Sequence, residues 1–175
     1  MNLDEALSLI RPIPDYPQPG ILFQDVTPLL SNGQAFAAVT QQLQKYVQPG
    51  SVIAGIEARG FIFASALANQ VESGFVPIRK AGKLPFTTIA QNYGLEYGND
   101  ILEIHTDALI ENSNVLLIDD VLATGGTIEA AIDLVQRLGG TVYCVAVLLE
   151  IESLGGRLRL TTKYPELTIT SLVVS

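Results

Sequence analysis

Apolar positions along this chain fall into short unbroken runs separated by stripes of helical period. Val52-Ile53-Ala54-Gly55-Ile56, Phe75-Val76-Pro77-Ile78, Val115-Leu116-Leu117-Ile118 and Val142 to Leu149 read as buried strands, and Leu167 to Val174 as a last strand at an edge. Between them, Phe36, Val39, Leu43 and Tyr46 repeat at helical spacing up to the stop at Pro49-Gly50. A second apolar helix is predicted from Gly60 to Val71. In a third, Ile128, Ala131, Ile132, Val135 and Leu138 line one face, and Gly139-Gly140 closes it. Continuous apolar strands alternating with helices predict an α/β fold, with a mostly parallel central sheet flanked by helices.

Two segments depart from this rhythm. Residues 12–28 hold Pro12, Pro14, Pro17, Pro19 and Pro28, which precludes regular helix. Ile21, Leu22, Phe23 and Val26 make the same stretch too apolar for a solvated tether, so residues 1–30 are expected to pack as a small cap. Residues 79–104 are polar and glycine-containing, a length of loop that is usually functional. Alternation in Thr87-Thr88-Ile89 and Glu103-Ile104-His105 allows a flexible hairpin there, able to close over a site.

Length and composition narrow the classes. At 175 residues a single domain spanning 1–175 is expected, large enough for a core without disulfide or structural metal. The longest apolar run has eight residues, against the roughly 20 of a spanning helix. The opening MNLDEALSLI carries acids where a signal peptide carries positive charge, and Cys144 has no partner for a disulfide. A net charge of −8 opposes general nucleic-acid binding. A cytoplasmic protein without membrane or nucleic-acid partners is expected. No Cys/His cluster offers a zinc site; Cys144 reads as a small hydrophobe in a buried strand, and His105, in an alternating segment, is not expected to be catalytic.

The richest chemistry lies in Val115-Leu116-Leu117-Ile118-Asp119-Asp120-Val121-Leu122-Ala123-Thr124-Gly125-Gly126-Thr127. A buried strand passes through small residues into a helix. Gly125 and Gly126 let the backbone turn its amides outward, Thr124 and Thr127 add hydroxyls, and the helix presents its positive dipole end. The segment is neither a P-loop nor a GxGxxG fingerprint. Asp119 and Asp120, just before this phosphate cradle, suit a ribose diol or a Mg²⁺ reached through oxygen or water. A second loop, Glu57-Ala58-Arg59-Gly60, leaves an earlier strand at the same carboxyl edge, where open α/β sheets bind ligands. Arg79, Lys80 and Lys83 put three of the ten cations within five residues after a third strand. Two anion sites on one edge imply a ligand with phosphate at both ends.

The run from Val115 to Thr127 resembles the signature of type I phosphoribosyltransferases. Asp15-Tyr16-Pro17, Pro19-Gly20-Ile21-Leu22-Phe23, Glu57-Ala58-Arg59-Gly60-Phe61, Arg79-Lys80, Gly82-Lys83-Leu84-Pro85 and Leu95-Glu96-Tyr97-Gly98 narrow the resemblance to adenine phosphoribosyltransferase. It covers residues 3 to 160, while the last fifteen residues match poorly. The resemblance implies transfer of ribosyl 5-phosphate from 5-phosphoribosyl 1-diphosphate (PRPP) to adenine, giving AMP and pyrophosphate with Mg²⁺.

By the same resemblance, Ala123, Thr124, Gly125, Gly126 and Thr127 hold the 5-phosphate, and Asp119 and Asp120 contact the ribose hydroxyls. Glu57, Ala58 and Arg59 form the pyrophosphate loop, with a cis Glu57–Ala58 peptide, joined by Arg79, Lys80 and Lys83. Mg²⁺ is held mainly through PRPP. Glu96 is implied in proton transfer at the purine, Tyr97 in closing the hairpin, and Arg59 and Lys83 in meeting charge on the leaving pyrophosphate. Leu22, Phe23 and Gln24 surround adenine, read through backbone groups. Gln24 departs from the Arg that many relatives carry. Relatives are homodimers, and one is expected here. Two alternatives remain at this level: a sibling enzyme for xanthine, hypoxanthine or orotate, and a non-catalytic PRPP-sensing regulator.

Overall fold

The computed structural model describes residues 1–94 and 100–175. The chain divides into two compact units, Met1–Lys45 and Tyr46–Ser175.

In the first unit, α1 (Leu3–Leu7) opens with a capping box: the Asn2 side chain accepts from the Glu5 amide, and the Glu5 carboxylate accepts from the Asn2 amide. Strands β1 (Arg11–Ile13) and β2 (Phe23–Asp25) pair antiparallel, with Pro12 opposite Gln24, and Arg11 bonds Asp25 across the register. The prolines exclude long helix here, as expected, yet α2 (Thr27–Ser31) forms because Pro28 sits in its first turn, where no amide is required. Helix α3 (Gly33–Gln44) follows, capped by Asn32, and packs on α1 and α2.

The second unit is built on a seven-stranded sheet. Its strands are β3 (Val52–Ile56), β4 (Phe75–Lys80), β5 (Thr88–Asn92), β6 (Ile101–His105), β7 (Asn114–Leu122), β8 (Thr141–Glu150) and β9 (Thr168–Val174), in the order β5-β6-β4-β3-β7-β8-β9. The five strands from β4 to β9 run parallel, and the β5–β6 hairpin joins antiparallel on β4. Helices α4 (Arg59–Gln70), α5 (Gly126–Arg137) and α6 (Gly156–Lys163) complete the unit. Side chains such as Ile56, Leu117, Ile132, Val135 and Val147 are solvent-free between sheet and helix.

Three boundaries differ from the sequence pattern. Regular structure within 79–104 is more extensive than its weak alternation predicts, because β6 finds an open edge on β4 and its alternate residues Leu102 and Ile104 are buried. Strand β7 does not end at Ile118 but carries Asp119 and Asp120 within it, since β8 continues beside it to Leu149 and Glu150. Helix α6 has no apolar stripe strong enough to signal it. Its Leu160 is buried and its Leu158 exposed.

Candidate functional site

Strands β3, β4 and β7 are adjacent and parallel, so the segments that follow them open on one edge of the sheet. After β7, residues 123–125 turn into α5, and Gly125 takes a left-handed φ of 81° as the N-cap. No side chain caps this helix, so its first amides face outward toward a small pocket of about 50 Å³ lined by Ala123, Thr124, Gly125 and Thr127. An anion there meets aligned N–H groups, two hydroxyls and the helix dipole.

Asp119 and Asp120 stand immediately before the cradle and are 8% and 7% exposed. Asp119 Oδ1 accepts from the Asp120 amide at 2.9 Å. The guanidinium of Arg59, from the first turn of α4, comes within 2.7 Å of Asp120 Oδ2, an oxygen with no aligned hydrogen bond of its own. Burial raises both carboxyls above their ordinary range. The neighbouring Asp120 charge pushes Asp119 further up, while Arg59 pulls Asp120 back down. Gly60 makes this approach possible: a methyl group there would lie 2.8 Å from the Ile118 carbonyl and 3.1 Å from Asp119 Oδ1.

On the neighbouring strand end, the Glu57 carboxylate accepts from Arg79 Nε (3.2 Å), Arg79 Nη2 (3.0 Å) and the Lys80 amide (3.0 Å). The Arg79 fork holds Glu57 below the usual carboxylate range. Arg79 Nη1 also donates to the Lys83 carbonyl at 3.1 Å, and the guanidinium lies over the Phe61 ring. The Arg79 cation is thus spent on protein groups, whereas Lys80 and Lys83 extend into solvent. The Glu57–Ala58 peptide is cis, as the resemblance implied.

Among the described residues no group of three or more His, Cys, Asp or Glu gathers to hold a metal. Two carboxylates beside an anion cradle still fit Mg²⁺, which binds through one or two carboxylates and takes its other oxygens from water and phosphate.

A model of the phosphoribosyl transferase domain matches residues 25–164. The adenine phosphoribosyltransferase of Parvibaculum lavamentivorans is 55% identical over 158 residues, covering 89% of this chain and 90% of its own length. The chain belongs to the adenine phosphoribosyltransferases. Among solved structures, the family's enzyme from Thermoanaerobacter pseudethanolicus superposes with a TM-score of 0.92 at 45% identity, covering 99% of this chain and all of that one. The enzyme from Saccharomyces cerevisiae, complexed with an imino-altritol 1,6-bisphosphate and adenine, gives 0.87 at 34% identity, covering 97% of each chain.

Of the positions expected from the family's pattern, Glu57, Ala58, Arg59, Arg79, Lys80, Lys83, Asp119, Asp120 and Ala123 to Thr127 all lie in the second unit at or just beyond the ends of β3, β4 and β7. Leu22, Phe23 and Gln24 belong to the first unit, at the start of β2. Leu22 is exposed, and Phe23 packs edge-on against Tyr16 at 5.2 Å between ring centres. Glu96 and Tyr97 lie outside the described residues. His105 lies in β6, where its Nε2 accepts from the Phe86 amide, and Cys144 is buried in β8, which pushes its thiol up to about 11.

The sequence reading missed the start of α6. A methyl group on Gly125 would come within 3.0 Å of the Gly156 carbonyl, and one on Gly156 would overlap the Ala123 carbonyl. The only signal was the Gly155-Gly156 pair ahead of Arg157 and Arg159.

Proposed function

We propose that this chain transfers the 5-phosphoribosyl group of PRPP to adenine, giving AMP and pyrophosphate, as a step of purine salvage. The observation that carries this reading is the pairing, on one sheet edge, of an uncapped helix N-terminus with a cationic loop, bridged by two buried carboxylates. That arrangement matches a sugar bearing phosphate at both ends.

In this reading Ala123 to Thr127 bind the 5-phosphate, and Asp119 and Asp120 accept from the ribose 2- and 3-hydroxyls. The Glu57-Ala58-Arg59 loop and Lys83 meet the pyrophosphate, with Lys80 adding charge nearby. Arg79 acts through Glu57, holding that loop in place. During transfer the anomeric C–O bond to pyrophosphate breaks, the C–N bond to the purine forms, and the purine ring proton leaves to Glu96. Arg59 and Lys83 stabilise the negative charge that grows on the leaving group. Tyr97 excludes water that would otherwise hydrolyse PRPP. Asp119 or Asp120 would hold a PRPP-bound Mg²⁺ through water, and that ion would supply charge neutralisation at the diphosphate.

Leu22, Phe23 and Gln24 supply the adenine contacts through backbone groups. A carbonyl acceptor beside an amide donor suits adenine and mismatches a 6-oxopurine, a difference worth up to about 10⁴ in selectivity. No described helix is long and apolar enough to cross a membrane. A cytoplasmic homodimer handling only small molecules completes the proposal.

Purified protein incubated with PRPP and Mg²⁺ and offered adenine, hypoxanthine, guanine, xanthine or orotate tests it. AMP from adenine alone is expected. Nucleotide from another base would replace the adenine assignment, and no product from any base with PRPP still bound would favour the PRPP-sensing reading.

A further inference from the structure

The loop that forms the cradle, Val121 to Ile128, contains no Lys or Arg, and its first helical turn carries an acid, Glu129. A dianionic phosphate beside a carboxylate is electrostatically unfavourable unless a cation intervenes. The structure brings one from the far end of the chain. Arg159 on α6 pairs through Nε with Glu129, and Lys163, one turn further on, donates to both Glu129 and Asp133 at 3.0 Å.

The Arg159 guanidinium also reaches the edge of the cradle at Gly126. A methyl group placed on Gly126 would lie 3.7 Å from Arg159 Nη1 and 3.9 Å from Thr124 Oγ1, so an arginine nitrogen and a cradle hydroxyl flank the same point. Gly126 and Arg159 line a polar pocket of about 130 Å³ beside the cradle pocket, shared with Tyr93 and with Glu129 and Asp133, the two acids paired to Arg159 and Lys163. Glycine contacts fix this geometry. Gly156 seats the first turn of α6 against the Ala123 carbonyl and the Gly125 amide, leaving no room for a side chain. Helix α6 is therefore docked on the cradle loop at one end and carries Arg159 to the start of α5 one turn later.

We propose that Arg159 is a phosphate-positioning residue: its terminal N–H groups face the 5-phosphate bound at the α5 N-terminus, while its Nε neutralises Glu129. This rests on the PRPP reading above and adds a residue from a helix that the expected site residues do not include. It also gives a role to the Gly155-Gly156 pair, since a cation on a loosely packed helix would not be held there.

The test separates the two phosphate ends. Ribose 5-phosphate and pyrophosphate are titrated separately into wild-type protein and into Arg159→Ala, Arg159→Lys and Glu129→Gln, with steady-state KM values for PRPP and adenine alongside. For Arg159→Ala, ribose 5-phosphate affinity and PRPP KM should worsen by about tenfold, the worth of a charge-assisted hydrogen bond at a part-exposed site. Pyrophosphate affinity, adenine KM and kcat should change less than about twofold, and Arg159→Lys should recover part of the loss. Glu129→Gln, which breaks the same ion pair, should leave ribose 5-phosphate binding intact or tighter.

Equal losses in Arg159→Ala and Glu129→Gln would mean that Arg159 only braces α5, overturning the inference. So would an unchanged ribose 5-phosphate affinity in Arg159→Ala. Should that variant fail to fold, Arg159→Lys and Arg159→Gln decide by the same ratio of ribose 5-phosphate to pyrophosphate affinity. Failure of the wild-type protein to bind either probe or to turn over PRPP would instead remove the functional reading on which the inference rests.

Discussion

Arg59 and Asp120 face each other at 2.7 Å across the sheet edge, joining the loop after β3 to the last residues of β7. The pair is asymmetric. Asp120 is nearly enclosed, Arg59 is about one-third exposed, and Asp119 beside them is buried with Oδ1 on the Asp120 amide. One guanidinium thus offsets two carboxylates whose burial opposes their ionisation.

Removing one charge from this cluster should stabilise the fold and damage the site. Asp119 binds its proton more tightly folded than unfolded, so ionising it costs stability. The cost is absent below the ordinary value of 3.8 and grows as pH rises through the window above it. Asp119→Asn keeps the oxygen that accepts the Asp120 amide, and it should melt higher than wild type at pH 7 with the gap closing toward pH 4. Turnover of PRPP should fall by about a hundredfold or more, as for loss of a charged group that orders the reacting sugar. Melting curves at several pH values and initial rates check both halves, and a lower melting point at pH 7 would refute the first.

Glu57 works in the opposite sense. Its carboxyl is depressed by the Arg79 fork, so it adds stability above the unfolded value of 4.5 and loses it as pH falls through its lower folded value. Glu57→Gln should cost about 1–2 kcal/mol at neutral pH, discounted for the part-exposed Arg79. Denaturant midpoints for the two proteins should converge below pH 4.5.

Gly60 sets how closely α4 approaches β7. Gly60→Ala would force a methyl group against the Ile118 carbonyl and the Asp119 backbone, costing about 1–3 kcal/mol and shifting Arg59 from Asp120. PRPP KM should rise along with the loss of stability, whereas Gly33→Ala, at a position with open space, should leave KM unchanged.

Two arginines on α6 should separate stability from binding. Arg157 donates to Glu150, which is only 3% exposed, and to the Ile169 carbonyl and Ser171 hydroxyl at 3.0 Å each. Arg157→Ala leaves that carboxylate with only the Ser171 hydroxyl as a side-chain partner and should cost about 1–3 kcal/mol, less than a fully enclosed pair because Arg157 is part-exposed. Its PRPP KM should hold, the reverse of the pattern expected for Arg159. Chemical denaturation paired with steady-state kinetics on both variants reads the contrast.

Much of this was legible from local pattern. The strand-and-helix order follows from unbroken aliphatic runs and helical stripes, and the cradle follows from small residues between a strand and a helix. Where the pattern failed, partners distant in sequence decided the outcome. The predicted strand stops at Ile118, yet β8 pairs alongside and draws Asp119 and Asp120 into the sheet. The hairpin that alternation allowed within 79–104 did form as β5 and β6, and its place in the sheet was decided by the edge that β4 offered and the buried face of Leu102 and Ile104.

The sequence by itself determined the α/β class, the turn of small residues from Ala123 to Thr127 that leads into a helix, and the cations that follow the strands, because each depends on residues close together in the chain. Only the tertiary structure decided how charges are shared there: Arg59 with Asp120, Arg79 with Glu57, and Arg159 with Glu129 beside the cradle. Those partners lie 22 to 61 residues apart. Coulomb attraction depends on distance in space, and nothing in a chain's local pattern fixes that distance.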